Sequence, residues 1–514
     1  MSFYKRNRKE FSLILVFTFI KLALHFAANN NFGIHRDEFL YLALGEHLDW
    51  GFKEVPPFIA GISWLTTNVF GDSVFATRII STIFGTFIVY LTGLTVLALG
   101  GKRPAIAIAC LAVILSPAFL ASGYLLQPVV FDQFFWVLSA YLIIRFIKTR
   151  QNIYLYSLGV AAGFGMLNKY SMALYILALL LGLLMTDQRK ILVKKAFLIS
   201  AAIALVIFLP NLIWQISHGF PVINHMNELK ETQLNLINPL EFLQSQLFIH
   251  ASTSLIWISG LIFLFVSRSL KPFRFLGLAF ALVIILLILM HGKSYYSFGA
   301  YPVLFAAGGL AFCKLLNRMR SSFKYVLTSI VLLPSTLLIP IAIPILPFET
   351  TLAFFKYSAE KLKLNFILKW ENQEYHATTQ DYADMLAWED LAIGAKKAYQ
   401  LIPERERRHT TIFASNYGQA GAVDHYRKKY GLPPAVCLNS SYALWSPDTV
   451  QTRHFIYIDD EYPDDLAPLY NKLIKISAIE NPYAREKGTS VYLLSDPIKS
   501  LQPIYRKHRQ EELD

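Results

Sequence analysis

The sequence predicts an α-helical polytopic membrane protein with a C-terminal extracytoplasmic α/β domain, and three observations predict it. Eleven apolar runs in the first 349 residues are long enough to span or nearly span a bilayer. Lysine and arginine sort into alternate gaps between those runs. From about residue 350 the character changes: charge density rises, and short strand-like runs alternate with helical patterns.

The apolar runs lie at about 11–28, 74–99, 104–121, 129–147, 152–168, 170–186, 196–217, 251–267, 275–290, 296–313 and 325–346. The first follows a basic start, MSFYKRNRKE, but Lys21 interrupts it and no small-x-small cleavage site follows before Asn29. An uncleaved signal anchor fits better than a cleaved signal peptide. The fifth and sixth runs abut, so Asn168-Lys169-Tyr170 must form a tight turn. Counting the N-terminus as the first gap, the odd-numbered gaps hold 20 lysines and arginines, Lys5, Arg6, Lys190, Arg318 and Arg320 among them. The others hold only Arg36, Lys53, Lys169, Lys230 and Lys293. Positive charge favours the cytoplasm, so the N-terminus is expected inside and the alternate loops and C-terminal domain outside. Acids sort the opposite way: Asp37, Glu38, Glu46, Asp49, Glu54 and Asp72 all fall on the first outer loop.

This pattern assigns the net charge of +13 to membrane topology and argues against nucleic acid as a partner. Hydrophobic residues make up 54% of the chain and charged ones 16%, too apolar for a soluble protein of this length. Cys110, Cys313 and Cys437 have no metal-ligand spacing and imply no disulfide framework.

The expected division is a membrane domain over 1–349, with the first outer loop at 29–73, and an extracytoplasmic α/β domain over 350–514. Within the latter, 410–414, 454–458 and 490–494 read as strands, and 386–401, 418–429 and 464–476 as amphipathic helices. Asn416-Tyr417-Gly418-Gln419-Ala420-Gly421 falls at a strand-to-helix turn. Such turns can cradle anions, although a plain tight turn is the commoner explanation.

The functional candidates are polar residues placed where a membrane protein avoids them. The stretch 33–57, GIHRDEFLYLALGEHLDWGFKEVPP, packs His35, Arg36, Asp37 and Glu38 into one cluster directly after an apolar span, at the start of an amphipathic helix. The competing explanation is an interfacial helix with an acidic N-terminus. Asp132 opens the fourth span, where an acid also suits the helix dipole. Lys169 and Tyr170 lie between the fifth and sixth spans. Lys293 lies between the ninth and tenth, hemmed in by His291, Tyr295 and Tyr296. Either lysine could instead snorkel to the interface. Arg78 sits in the outer part of the second span. Acids and cations on one face suit an anionic lipid headgroup beside a base.

Several of these segments carry a specific resemblance. HRDEFLYLALGEHLDWGFKEVPPFIA, GDSVFATRI, YLLQPVVFDQFFWVLSAYLIIR, LNKYSM, PNLIWQISHGFP, GKSYYSFGAYP and NYGQAGAVDHYRKKYGLPPAV occur in the expected order over nearly the whole chain. Together they resemble membrane glycosyltransferases of the GT-C class, in glycosyltransferase family 39, related to protein O-mannosyltransferases and the lipid A aminoarabinose transferase. The resemblance implies transfer of a sugar from a polyprenyl-phosphate donor to a lipid, glycan or protein acceptor, outside the cytoplasm, in the bacterial inner membrane. Asp37 matches the family's catalytic aspartate, with Glu38 positioning it or the acceptor. His35, Arg78, Asp132, Lys169, Tyr170, Lys293, Tyr295 and Tyr296 are the expected substrate-binding residues. No metal and no cofactor beyond the donor co-substrate are expected. A secondary transporter or lipid flippase is the alternative, but no internal repeat or matched pair of broken helices supports it.

Overall fold

The computed structural model describes residues 7–232, 234–317, 319 and 321–513. The cations Lys5, Arg6, Arg318 and Arg320 of the topology count lie outside them. Two compact units emerge. One comprises Met1–Asn29, Val55–Phe58 and Arg78–Ile345; the other comprises Asn30–Glu54, Ile59–Thr77 and Leu346–Asp514.

The first unit is helical. Among the described residues six helices are long and apolar enough to cross a membrane: Arg8–Ala28, Val74–Ala98, Pro128–Thr149, Lys195–Ser217, Arg268–Leu289 and Ser294–Leu316. A seventh arises if Pro239–Phe248 and Ala251–Val266, bent by 97°, count as one span. Eleven were expected, and the difference has local causes. The third run breaks at Ser116-Pro117 into Arg103–Leu115 and Pro117–Ala121, because proline cannot donate to the preceding turn. The fifth and sixth, Ile153–Asn168 and Ser171–Leu184, are 16 and 14 residues long. At 1.5 Å per residue each rises only about 21–24 Å, short of a hydrocarbon core of about 30 Å. The turn expected at Asn168-Lys169-Tyr170 separates them.

Aromatic side chains consolidate this unit. Phe58 meets the rings of Phe131 and Phe135 edge-on, each with centroids 5.5 Å apart. Trp136 stacks on Tyr175 at 4.2 Å.

The second unit is built on a five-stranded sheet of order β2-β1-β3-β5-β4. Its strands are β1 (Thr410–Ala414), β2 (Ala435–Val436), β3 (His454–Asp459), β4 (Tyr470–Ala478) and β5 (Ser490–Pro497). β1 runs parallel to β2 and β3, while β5 is antiparallel to β3 and β4. Alternation along the strands sorts two faces. Phe455, Tyr492 and Leu494 join Leu438, Val450, Leu501 and Tyr505 in one core, and Ile412, Ile456, Ile458, Val491 and Leu493 are buried in the opposite register. The helices Trp388–Leu401 and Tyr417–Tyr430 fall close to the expected spans.

The expected helix over 464–476 is a correction. Leu466, Leu469, Tyr470 and Leu473 recur at helical spacing, yet the chain from Tyr470 is the strand β4, preceded by a short 3-10 turn at Ala467–Leu469. The β-branched Ile474 and Ile476 and a ladder to β5 outweigh the helical period. β4 is a sheet edge, and its exposed Lys472 and Lys475 suit that position.

Candidate active site

In the second unit the Arg36–Glu46 helix starts abruptly because His35 and Glu38 close a capping box. His35 Nδ1 accepts the Asp37 amide at 3.1 Å, and the Glu38 carboxylate accepts the His35 amide at 2.8 Å. With Nδ1 accepting, the ring proton sits on Nε2, which lies 3.9 Å from Asp384 Oδ2. Glu38 is fully buried, so its carboxylate serves the turn that presents Asp37.

The Tyr417–Tyr430 helix packs on the same turn. A Cβ at Gly421 would fall 2.6 Å from Phe39 Cβ, so glycine is needed for this approach. Phe39 in turn meets Trp388 edge-on at 5.5 Å. The hydroxyl of Tyr417 donates to Asp37 Oδ1 at 2.9 Å, and Arg36 Cζ lies 4.9 Å from the Tyr417 ring centroid. The Asp384 carbonyl accepts both the Arg36 amide at 3.0 Å and Trp388 Nε1 at 2.7 Å. Burial pushes the Asp384 carboxyl up to about 6, against the opposing pull of His35, Arg485 and Arg36. Burial, reinforced by Asp37, drives the Tyr417 hydroxyl well above its ordinary value, so it stays protonated and donates.

The turn at 416–421 resolves as a tight helix start. Asn416 Oδ1 accepts the amides of Gly418 and Gln419 at 3.0 and 3.1 Å, occupying the donors an anion would need.

The first unit gathers the other candidates. Asp132 Oδ1 accepts Trp136 Nε1 at 2.9 Å, and Oδ2 accepts Ser171 Oγ at 2.7 Å. Lys169, in the break between two helices, places Nζ 4.4 Å from the Tyr296 ring centroid and 4.8 Å from that of Tyr295. Ser171, two residues after Lys169, makes the contact to Asp132, so the carboxylate lies beside the Lys169 turn. Lys293 precedes the 3-10 turn Ser294–Ala300 that carries both tyrosines. Tyr170 donates to Asn211 Oδ1 at 3.1 Å and accepts from Gln215 Nε2 at 3.0 Å. Arg78 is fully buried; it donates to the Asn29 carbonyl at 3.1 Å and lies 5.3 Å from the Tyr124 ring centroid.

Sequence reasoning missed Tyr417, Asp384, Trp388 and Arg485 as neighbours of the Asp37 turn. The available signal was NYGQAG, quoted for its resemblance and read as a tight turn that could also cradle an anion. Among the described residues no group of three or more His, Cys, Asp or Glu is arranged to hold a metal ion.

Residues 54–214 match the family described as dolichyl-phosphate-mannose-protein mannosyltransferase. That span includes Arg78, Asp132, Lys169 and Tyr170, and stops short of Asp37 and Lys293. No curated protein sequence matches the chain. Among solved structures, ArnT from Cupriavidus metallidurans bound to undecaprenyl phosphate aligns with a TM-score of 0.60 at 13% identity, over 93% of this chain and 97% of that one. Its apo state aligns equally well. The chain has the fold of ArnT, a polytopic helical protein with a small C-terminal sheet domain. The oligosaccharyltransferase AglB from Archaeoglobus fulgidus aligns at a TM-score of 0.47 and 13% identity, over 90% of this chain and 70% of that one. The match of residues 54–214 to a mannosyltransferase family disfavours the transporter alternative.

Proposed function

We propose that this chain is a glycosyltransferase that moves a sugar from a polyprenyl-phosphate donor to an acceptor hydroxyl on the extracytoplasmic face of the inner membrane, with Asp37 as general base. The observation that carries the reading is the presentation of Asp37. Its carboxylate stands in the first turn of a helix whose start is fixed by His35 and Glu38, with the Tyr417 hydroxyl on one oxygen. The donor lipid chemistry comes from the likeness to ArnT, whose structure holds undecaprenyl phosphate.

The chemistry follows from the bonds exchanged. The acceptor oxygen attacks the anomeric carbon as its proton passes to Asp37. The bond from that carbon to the phosphate oxygen breaks, and polyprenyl phosphate leaves with the electron pair. Direct attack inverts the anomeric centre. A phosphate leaving group needs charge stabilisation more than a proton, which assigns Lys293 and Lys169 to the donor phosphate. Tyr295 and Tyr296 hold the Lys169 ammonium by their ring faces. Asp132, bonded to Trp136 and Ser171, orients the helix start beside Lys169. Tyr170 and Arg78 support the donor-binding helices, and His35 and Glu38 hold the Asp37 turn. The co-substrate is the lipid-linked sugar itself.

Single-turnover transfer by Asp37→Asn tests the base. Asparagine keeps size and hydrogen bonding but takes no proton, so transfer should fall ~10²–10⁴-fold while undecaprenyl phosphate binds as before. Near-normal transfer would remove Asp37 from the role and bring Asp132 forward.

A further inference from the structure

We propose that Tyr417 is a positioning residue for Asp37: its hydroxyl holds the carboxylate in the orientation from which it accepts the acceptor's proton. This rests on Asp37 being the base.

The argument starts at Asn416. By capping Gly418 and Gln419 it fixes Tyr417 as the first residue of its helix, and the Tyr417 amide reaches toward Asn439 Oδ1 at 3.4 Å. The ring is then trapped. Arg36 lies over it, and Gly418 lets the helix come so close that a Cβ there would sit 2.8 Å from Arg36 Cγ. A ring so placed delivers its hydroxyl to Asp37 Oδ1 with little freedom.

The consequence is chemical. An aspartate has two rotatable side-chain bonds, and a general base works only within hydrogen-bond reach of the proton it takes. One fixed donor on Oδ1 locks both torsions, so the carboxylate is preorganised before the acceptor arrives. Tyr417 keeps its own proton throughout; the proton moved is the acceptor's. The neighbouring residues suit this role. Arg36 is tied by its amide to the Asp384 carbonyl, and the same carbonyl accepts from Trp388. The Asp384 carbonyl therefore braces Arg36, the residue before Asp37. None of these groups except Arg36 is near Asp37 in sequence.

The test uses the full chain, purified and added to membranes of a deletion strain, which contain both native substrates. Tyr417→Phe keeps the ring under Arg36 and removes one hydroxyl. It should lower turnover about ten- to a hundredfold, with inhibition by undecaprenyl phosphate unchanged within about twofold. Adding it to Asp37→Asn should cost nothing more, because the hydroxyl acts only through that carboxylate. The proposal is overturned if Tyr417→Phe turns over like wild type while Asp37→Asn is dead. It is equally overturned if Tyr417→Phe is slow only because it unfolds at much lower temperature, or if its loss adds fully to that of Asp37→Asn. Near-normal transfer by Asp37→Asn would instead sink the base assignment itself.

Discussion

The carboxylate of Glu38 accepts the backbone amide of His35 at 2.8 Å from a fully buried position. The acid adjacent to the proposed base is thus engaged with the backbone, and its contribution to turnover is expected to run through the shape of the turn.

Replacing it separates shape from charge. Glu38→Gln retains a carbonyl oxygen for the His35 amide and should keep most activity and stability. Glu38→Ala leaves that amide without its cap, at a cost of about 1–2 kcal/mol, and should slow transfer by disordering Asp37. Thermal unfolding in detergent and single-turnover rates, measured on both variants, check this. Equal losses of rate with unaltered unfolding would make the carboxylate's charge, not its capping bond, the working feature.

How much of this was legible in the sequence depends on distance along the chain. The cluster at 35–38 announced itself because all its members are consecutive and follow an apolar run. The Lys169 turn was legible because two apolar patterns abut there. The partner of Asp37 was not, since Tyr417 lies 380 residues away and only the packing of two helices joins them. β4 was misread for a different reason: Leu466, Leu469, Tyr470 and Leu473 repeat with a helical period, and the ladder to β5 that overrides it is a non-local contact. Six of the eleven apolar runs coincide with helices long enough to cross a membrane, but apolar composition alone did not show that Pro117 would cut the third.

A second prediction concerns Asp424, whose carboxyl accepts the Ala435 amide at 2.8 Å. Burial raises it to about 7, with Glu46 pushing the same way and the Ala435 amide and Arg427 opposing. A carboxyl raised on folding binds more protons in the native than in the unfolded state between about pH 4 and 7. Its contribution to stability is therefore present in full below that window and is lost as pH rises through it. Asp424→Asn keeps an acceptor for Ala435 and does not titrate. As pH falls from about 7 to about 4, the unfolding midpoint of the wild-type protein should rise relative to that of Asp424→Asn. A difference independent of pH would contradict the raised carboxyl.

Orientation is a third expectation. With Cys313 replaced, the two remaining cysteines, Cys110 and Cys437, are buried. In intact cells a membrane-impermeant thiol reagent should then modify Lys429→Cys and spare Lys190→Cys, because the charge asymmetry predicts residues 350–514 outside and 187–195 inside. The reverse pattern would move the proposed chemistry to the cytoplasmic face.

The last prediction tests the donor site through the rings that hold Lys169. An ammonium over an aromatic face gains about 0.5–2 kcal/mol, and Tyr296 is the closer of the two rings at 4.4 Å. Tyr296→Leu should therefore weaken undecaprenyl-phosphate binding about two- to thirtyfold, because the lysine loses the contact that fixes its head. Tyr296→Phe keeps the ring face and should bind nearly as wild type. Lys293→Ala removes a charge-assisted contact worth ~1.5–3 kcal/mol and should cost roughly ten- to a hundredfold in affinity. The binding assay is the same for all three, and stability is followed in parallel to confirm folding. If Tyr296→Phe lost as much as Tyr296→Leu, the hydroxyl rather than the ring would be the functional group. If Lys293→Ala bound the lipid phosphate undiminished, its ammonium would be an interfacial anchor, and Lys169 alone would remain to meet the phosphate.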